Sequence, residues 1–184
     1  DQLDNKQIDK IKNWVEDGNT LITIAKGSSW AIDSDLINET LVKSKNDTTY
    51  SRKRYVDASE HIGRERIGGV ILNADLDLTH PLAFGYHDKS IPVYKNNNVF
   101  INKTKDDYSS VAIYSEDFHI DGYISELNRK EFIPGAASLI VSNVGSGRVI
   151  VFADNPNFRG TWYGTNKLFL NAIFLGDNIS VPSK

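Results

Sequence analysis

The chain has 184 residues, enough for one packed domain with its own core. Hydrophobic residues make up 40% and charged residues 24%, an ordinary globular balance, and the formal net charge is -3. That charge, with no basic block, excludes nucleic acid as the main partner, since phosphate binding needs a clustered positive face. The nearest approach is Ser51-Arg52-Lys53-Arg54, with Arg64 and Arg66 beyond it, which reads as a solvated face. There is no cysteine, so disulfides, thiolate nucleophiles and Cys-ligated zinc are excluded together. No apolar run approaches the roughly 20 residues of a membrane helix, and no signal peptide is visible. The sequence neither begins with Met nor contains one, and it reads as a piece of a larger protein.

Residues 4–17 predict an amphipathic helix, with Ile8, Ile11, Trp14 and Val15 at helical spacing. Asp17-Gly18-Asn19 stops it. Leu21-Ile22-Thr23-Ile24-Ala25 reads as a short buried strand and Gly27-Ser28-Ser29 as a loop. Ser34 is an N-cap candidate for a short helix over 35–42. Residues 43–54 are polar, and a second helix is expected over 55–66, ended by Gly68-Gly69. Strands are expected at 70–74, 91–94, 99–101 and 110–114. The strongest hairpin signal joins 137–143 to 148–153 through Val144-Gly145-Ser146-Gly147. A closing helix over 165–175 buries Leu168, Phe169, Ala172 and Ile173, with Gly176 as its C-cap. Early alternation of helix and strand with a late hairpin indicates an α/β chain with a mixed sheet.

Several stretches invite a chemical reading. DLDLTHPLAFGYHD, residues 75–88, holds three aspartates and two histidines. On a strand, Asp75 and Asp77 share one face while Leu76 and Leu78 share the other. A calcium loop starting at Asp75 needs Gly and Glu where His80 and Tyr86 stand. Zinc prefers a closed His/Cys shell, and no histidine here begins a His-x-x-Glu or His-Glu-x-x-His pattern. The stretch reads as a strand entering a turn stiffened by Pro81 and tied by the His80 ring. A metal site of Asp75, Asp77 and His80 is the alternative. Ser28 and Ser29 follow a strand but lack the second glycine of a nucleophile elbow and a neighbouring histidine base. Gly145-Ser146-Gly147-Arg148 precedes a strand, not a helix, so it is a turn and not a phosphate loop. Residues 154–164, DNPNFRGTWYG, are polar, aromatic and glycine-rich. They read either as a loop packed over a sheet end or as a binding surface of Asp154, Asn155, Asn157, Arg159, Trp162 and Tyr163.

IKNWVEDGNTLI, residues 11–22, resembles the leading helix and Gly-Gly-Thr-Leu-Ile strand of class I glutamine amidotransferase-like domains, with Asn19 in place of the second glycine. DLDLTHPLAFGY (75–86) and GRVIVFADNPNFRGTWYG (147–164) look more specifically like the C-terminal amidotransferase-like domain of certain bacterial secreted M14-type zinc carboxypeptidases. NKLFLNAI, residues 166–173, resembles the terminal helix of that domain. The resemblance implies a single domain over 1–184 with a flavodoxin-like three-layer sandwich. Its sheet would be mostly parallel with a C-terminal antiparallel hairpin, and its first strands would lie upstream. It further implies a secreted or periplasmic setting. The zinc and catalytic Glu would belong to a separate upstream peptidase domain, which would be the partner of this one. Amidotransferases carry a Cys nucleophile at the strand-to-helix turn. Here that turn falls near Ala25-Lys26-Gly27, without a thiol.

The resulting expectation is a non-catalytic accessory domain holding no cofactor of its own. Two alternatives stand beside it: a hydrolase built from Asp75, Asp77, His80 and Ser28, and a small-ligand or glycan module using Trp162 and Tyr163. A truncated sheet start also predicts an exposed edge, paired with a self-partner.

Overall fold

The computed structural model describes residues 3–44, 54–58, 63 and 66–180. Arg52, Lys53 and Arg64, together with half of the helix expected over 55–66, lie outside them. Of that segment, Tyr55–Asp57 form a 3-10 turn.

Helix α1 (Asn5–Glu16) starts from a capping box that the hydrophobic spacing did not reveal. Asp4 Oδ1 accepts from Gln7 N at 2.8 Å, and Asp4 N donates to Gln7 Oε1 at 2.9 Å. Val15 is the helix's buried anchor, whereas Trp14 is 47% exposed. Strand β1 (Thr20–Ile24) then leads directly into helix α2 (Lys26–Asp33), where the sequence pattern had placed a loop. The helix expected over 35–42 is absent. Ser34 closes α2, its Oγ donating to Trp30 O at 2.7 Å, and Asp35 turns left-handed at φ 54°, which stops propagation.

The remaining strands are β2 (Val70–Leu76), β3 (Ser90–Lys95), β4 (Ile101–Asn102), β5 (Ser110–Gly122), β6 (Ala136–Val144) and β7 (Gly147–Phe152). They order as β1-β7-β6-β5-β2-β3, with β4 paired to β6 off this path. The sheet is α/β and mixed, but it is not mostly parallel. β1 with β7 is its parallel pair, in register Ile22↔Ile150, and the other described pairs are antiparallel. Parallel neighbours need a long crossover, usually a helix. From β2 to β7 the chain is instead joined by turns and short irregular segments. The β6–β7 hairpin forms as its sequence predicts, turning at Gly145-Ser146.

At the β1–β7–β6 end the sheet lies between two helical layers. On one face Val15, Ala31, Ile32 and Leu36 pack on Ile140, Val149 and Val151. On the other, Leu168 and Ala172 of helix α3 (Tyr163–Leu175) join the cluster containing Ile150 and Phe152. Ile173, expected inside, is 52% exposed. The sheet also curls. Lys95 of β3 bonds Asp154, just past β7, at 3.0 Å, although β3 and β7 are four places apart in the strand order. Flat strands would separate them by roughly 19 Å.

Candidate functional site

The turn from β1 into α2 holds a non-glycine residue, Ala25, at positive φ. Ala25 N donates to Phe152 O at 2.9 Å, extending the parallel ladder by one residue. At that same residue the backbone swings to φ 51°, ψ -113°. Its carbonyl then accepts from Ser28 N at 2.9 Å and Ser29 N at 3.2 Å, opening the helix. A non-glycine residue in this region is strained by about 1–3 kcal/mol, and such strain collects at functional positions. A sharp strained strand-to-helix turn is the device that lifts a nucleophile above a sheet. Here the side chain in that position is a methyl group.

The neighbouring serines serve the frame. Ser28 is fully buried, and its Oγ donates to Phe152 O at 2.7 Å and meets Thr23 Oγ1 at 3.1 Å. Ser29 Oγ donates to Lys26 O at 3.0 Å. None of these three bonds involves a histidine, so neither serine is paired with a base at this turn.

The 75–88 stretch is a strand end and a turn. Asp77 Oδ1 accepts from Thr79 Oγ1 at 2.7 Å and from Thr79 N at 2.9 Å, and the first of these bonds holds its carboxyl below the usual range. His80 is 9% exposed. Its Nδ1 accepts from Leu82 N at 3.1 Å, capping the 3-10 turn Pro81–Ala83. Burial pushes the His80 ring below its ordinary value, so it stays neutral. Asp75 points away to Lys89 at 3.8 Å. Among the described residues no group of three His, Asp or Glu converges as a metal shell.

The 154–164 loop packs over the far edge of the sheet. Phe158 stacks on Tyr94 with centroids 4.1 Å apart, and Trp162 flanks the same ring at 5.9 Å. Trp162 Nε1 donates to Pro92 O at 3.2 Å, and Tyr86 OH donates to Gly164 O at 2.8 Å. Asn155 Oδ1 accepts from Asn157 N at 3.0 Å inside the loop. Asp154 is 3% exposed and belongs to an interior ion cluster with Lys95. Of the six candidate binding residues, Arg159 and Tyr163 reach solvent freely, Tyr163 being 76% exposed.

Sequence reasoning missed a groove of about 880 Å3 over β2 and β5. Asp75 and Asp77 line it together, joined by Lys89, Ile113, Glu116 and Phe118. Its one sequence signal is the broken alternation at Ser115-Glu116-Asp117, where β5 bulges.

No family model matches the chain, and no curated protein matches it. Two solved structures are similar. One is a GMP synthase subunit from Thermoplasma acidophilum, 14% identical with a TM-score of 0.48, covering 94% of this chain and 65% of that one. The other is a cytoplasmic protein from Salmonella typhimurium, 13% identical with a TM-score of 0.43, covering 94% of this chain and 61% of that one. The chain therefore spans less than two thirds of either. No described helix is long and apolar enough to cross a membrane.

Proposed function

We propose that this chain is a glutamine amidotransferase-like domain that has kept the elbow and lost the nucleophile, and that it works by binding. The observation that carries this is Ala25 at φ 51°, ψ -113°. A strained turn is maintained where a nucleophile would stand, and the residue there has no lone pair to attack with. On the strength of the two quoted sequence motifs, its setting is an accessory domain of a secreted or periplasmic zinc carboxypeptidase. The zinc and the peptidase chemistry would reside in another domain of that protein.

Two surfaces suit an accessory role. One is the outer edge of β1. Arg148 N donates to Asn19 O and Ala25 N to Phe152 O, so alternate residues from 19 to 25 face β7. Thr20, Ile22 and Ile24 then direct their backbone groups outward, where a self-partner's strand would pair. The other is the exposed side of α3, which carries Tyr163, Ile173 and Phe174, with the exposed Phe84 held to the helix by its carbonyl, which accepts from Asn171 Nδ2 at 2.9 Å.

The test is turnover. The chain is expected to release no ammonia from glutamine and no nitrophenol from nitrophenyl acetate above a buffer control. Saturable turnover lost on Ser28→Ala or Asp75→Asn would instead support the hydrolase reading.

A further inference from the structure

The groove over β2 and β5 belongs neither to the elbow nor to the aromatic loop. We propose that it is a binding site for an organic cation, an amine or guanidinium carried on an aromatic or aliphatic body.

The fold leaves this ground open. Ile113 of β5 pairs with Ala137 of β6, which packs in the α1/α2 cluster, and Asp75 of β2 pairs with Ile113. The groove is therefore on the face of the sheet that carries α1 and α2. On this face α1 and α2 pack on residues of β6 and β7, and no β2 or β5 residue belongs to their cluster.

A bulge shapes its wall. Leu72 pairs with His119 and Ala74 with Tyr114, so residues 115–118 of β5 stand opposite Asn73 alone. Ser115 Oγ pins the bulge by donating to Asn73 O at 3.2 Å. Bulges of this kind re-aim side chains and gather beside binding sites. This one sets Glu116 and Phe118 on the rim and wall of the groove.

The lining then selects the ligand. Ile113, Leu78, Phe118 and Pro134 offer an apolar wall. The charges are unbalanced, with Asp75, Asp77 and Glu116 against Lys89. Lys89 reaches Asp75 only at 3.8 Å, and its side chain is 71% exposed, so it yields readily to a better-placed cation. A volume near 880 Å3 suits a small organic molecule. The carboxylates do not converge on one point, which disfavours a bare metal ion.

The experiment is calorimetric titration of the whole chain, at low salt, with 4-phenylbutylamine, 4-phenylbutanol and 4-phenylbutyrate. The amine should bind saturably and about tenfold or more tighter than the alcohol, and the anion should bind weakest. Asp75 and Glu116 are exposed enough for the double variant Asp75→Asn/Glu116→Gln to fold, which an unchanged urea midpoint confirms. In it the amine's advantage should vanish, while Lys89→Ala should strengthen amine binding. Equal binding of amine and anion, no binding of the amine, or an unaffected double variant overturns the proposal. The amine recovered after titration should be chemically unchanged. Its conversion would count against the non-catalytic reading and leave the binding site standing.

Discussion

Lys95→Met is expected to destabilise the chain by about 3–5 kcal/mol, because it strands a buried carboxylate. Lys95 is wholly buried at the end of β3. Its Nζ donates to Val99 O at 2.6 Å and to Asp154 Oδ1 at 3.0 Å, and it lies 4.5 Å from the Phe100 ring centroid. The second oxygen of Asp154 accepts from Tyr114 OH at 2.5 Å and Ser138 Oγ at 3.0 Å. Burial pulls the lysine's pKa down and, with Asp154 beside it, drives the Tyr114 hydroxyl's well up. The cluster ties β3, β5, β6 and the end of β7 at one point. Each charge has its partner, so the pair as a whole contributes little net stability, but either one alone is costly. The double variant Lys95→Met/Asp154→Leu should therefore recover most of the loss. Urea denaturation of the two singles and the double measures this coupling. Additive losses would show that the two charges are independent.

Gly147→Ala is expected to cost about 3 kcal/mol or more, by overpacking against backbone that cannot move aside. A Cβ on Gly147 would collide with Val15 O and Asn19 O and stand 2.9 Å from the Val15 carbonyl carbon. The end of α1 lies directly on the β6–β7 turn, where Ser146 N donates to Glu16 O at 3.0 Å and Arg148 N to Asn19 O at 3.1 Å. Accommodating one methyl group means prising α1 from the hairpin and disturbing the start of β1. Ser146→Ala, at the exposed neighbour, should change the midpoint of denaturation hardly at all. If both variants melt alike, the close approach of α1 to this turn is wrong.

The parts of this fold legible in the sequence are those set by local rules. The 136–152 hairpin followed from two apolar runs and a glycine turn. The His80 turn followed from a ring positioned before Pro81. Tertiary contacts set the rest. Ser28 reads as a loop residue until Phe152 O is there to accept its hydroxyl proton, and α2 forms around that burial. Trp14 keeps helical spacing yet faces out, while Val15 is buried and Ile11 packs against the same cluster. The mostly parallel sheet was an inference from resemblance, and turn-joined strands after β2 overrode it. The groove left only the broken alternation at 115–117 as a trace, because it arises from pairing strands some 40 positions apart and a bulge in one of them.

The proposed function rests on Ala25 standing where a nucleophile would. The chain contains no cysteine, so Ala25→Cys places a single thiol at that turn. At the mouth of α2 its pKa should fall below the ordinary value near 8.5. The measurement is the rate of iodoacetamide labelling of this variant against pH, followed by mass spectrometry. Selective labelling at neutral pH, faster than that of a free cysteine, is the predicted result. A thiol that labels only under denaturant, or only near the pH of an ordinary cysteine, would contradict the elbow and the function proposed from it.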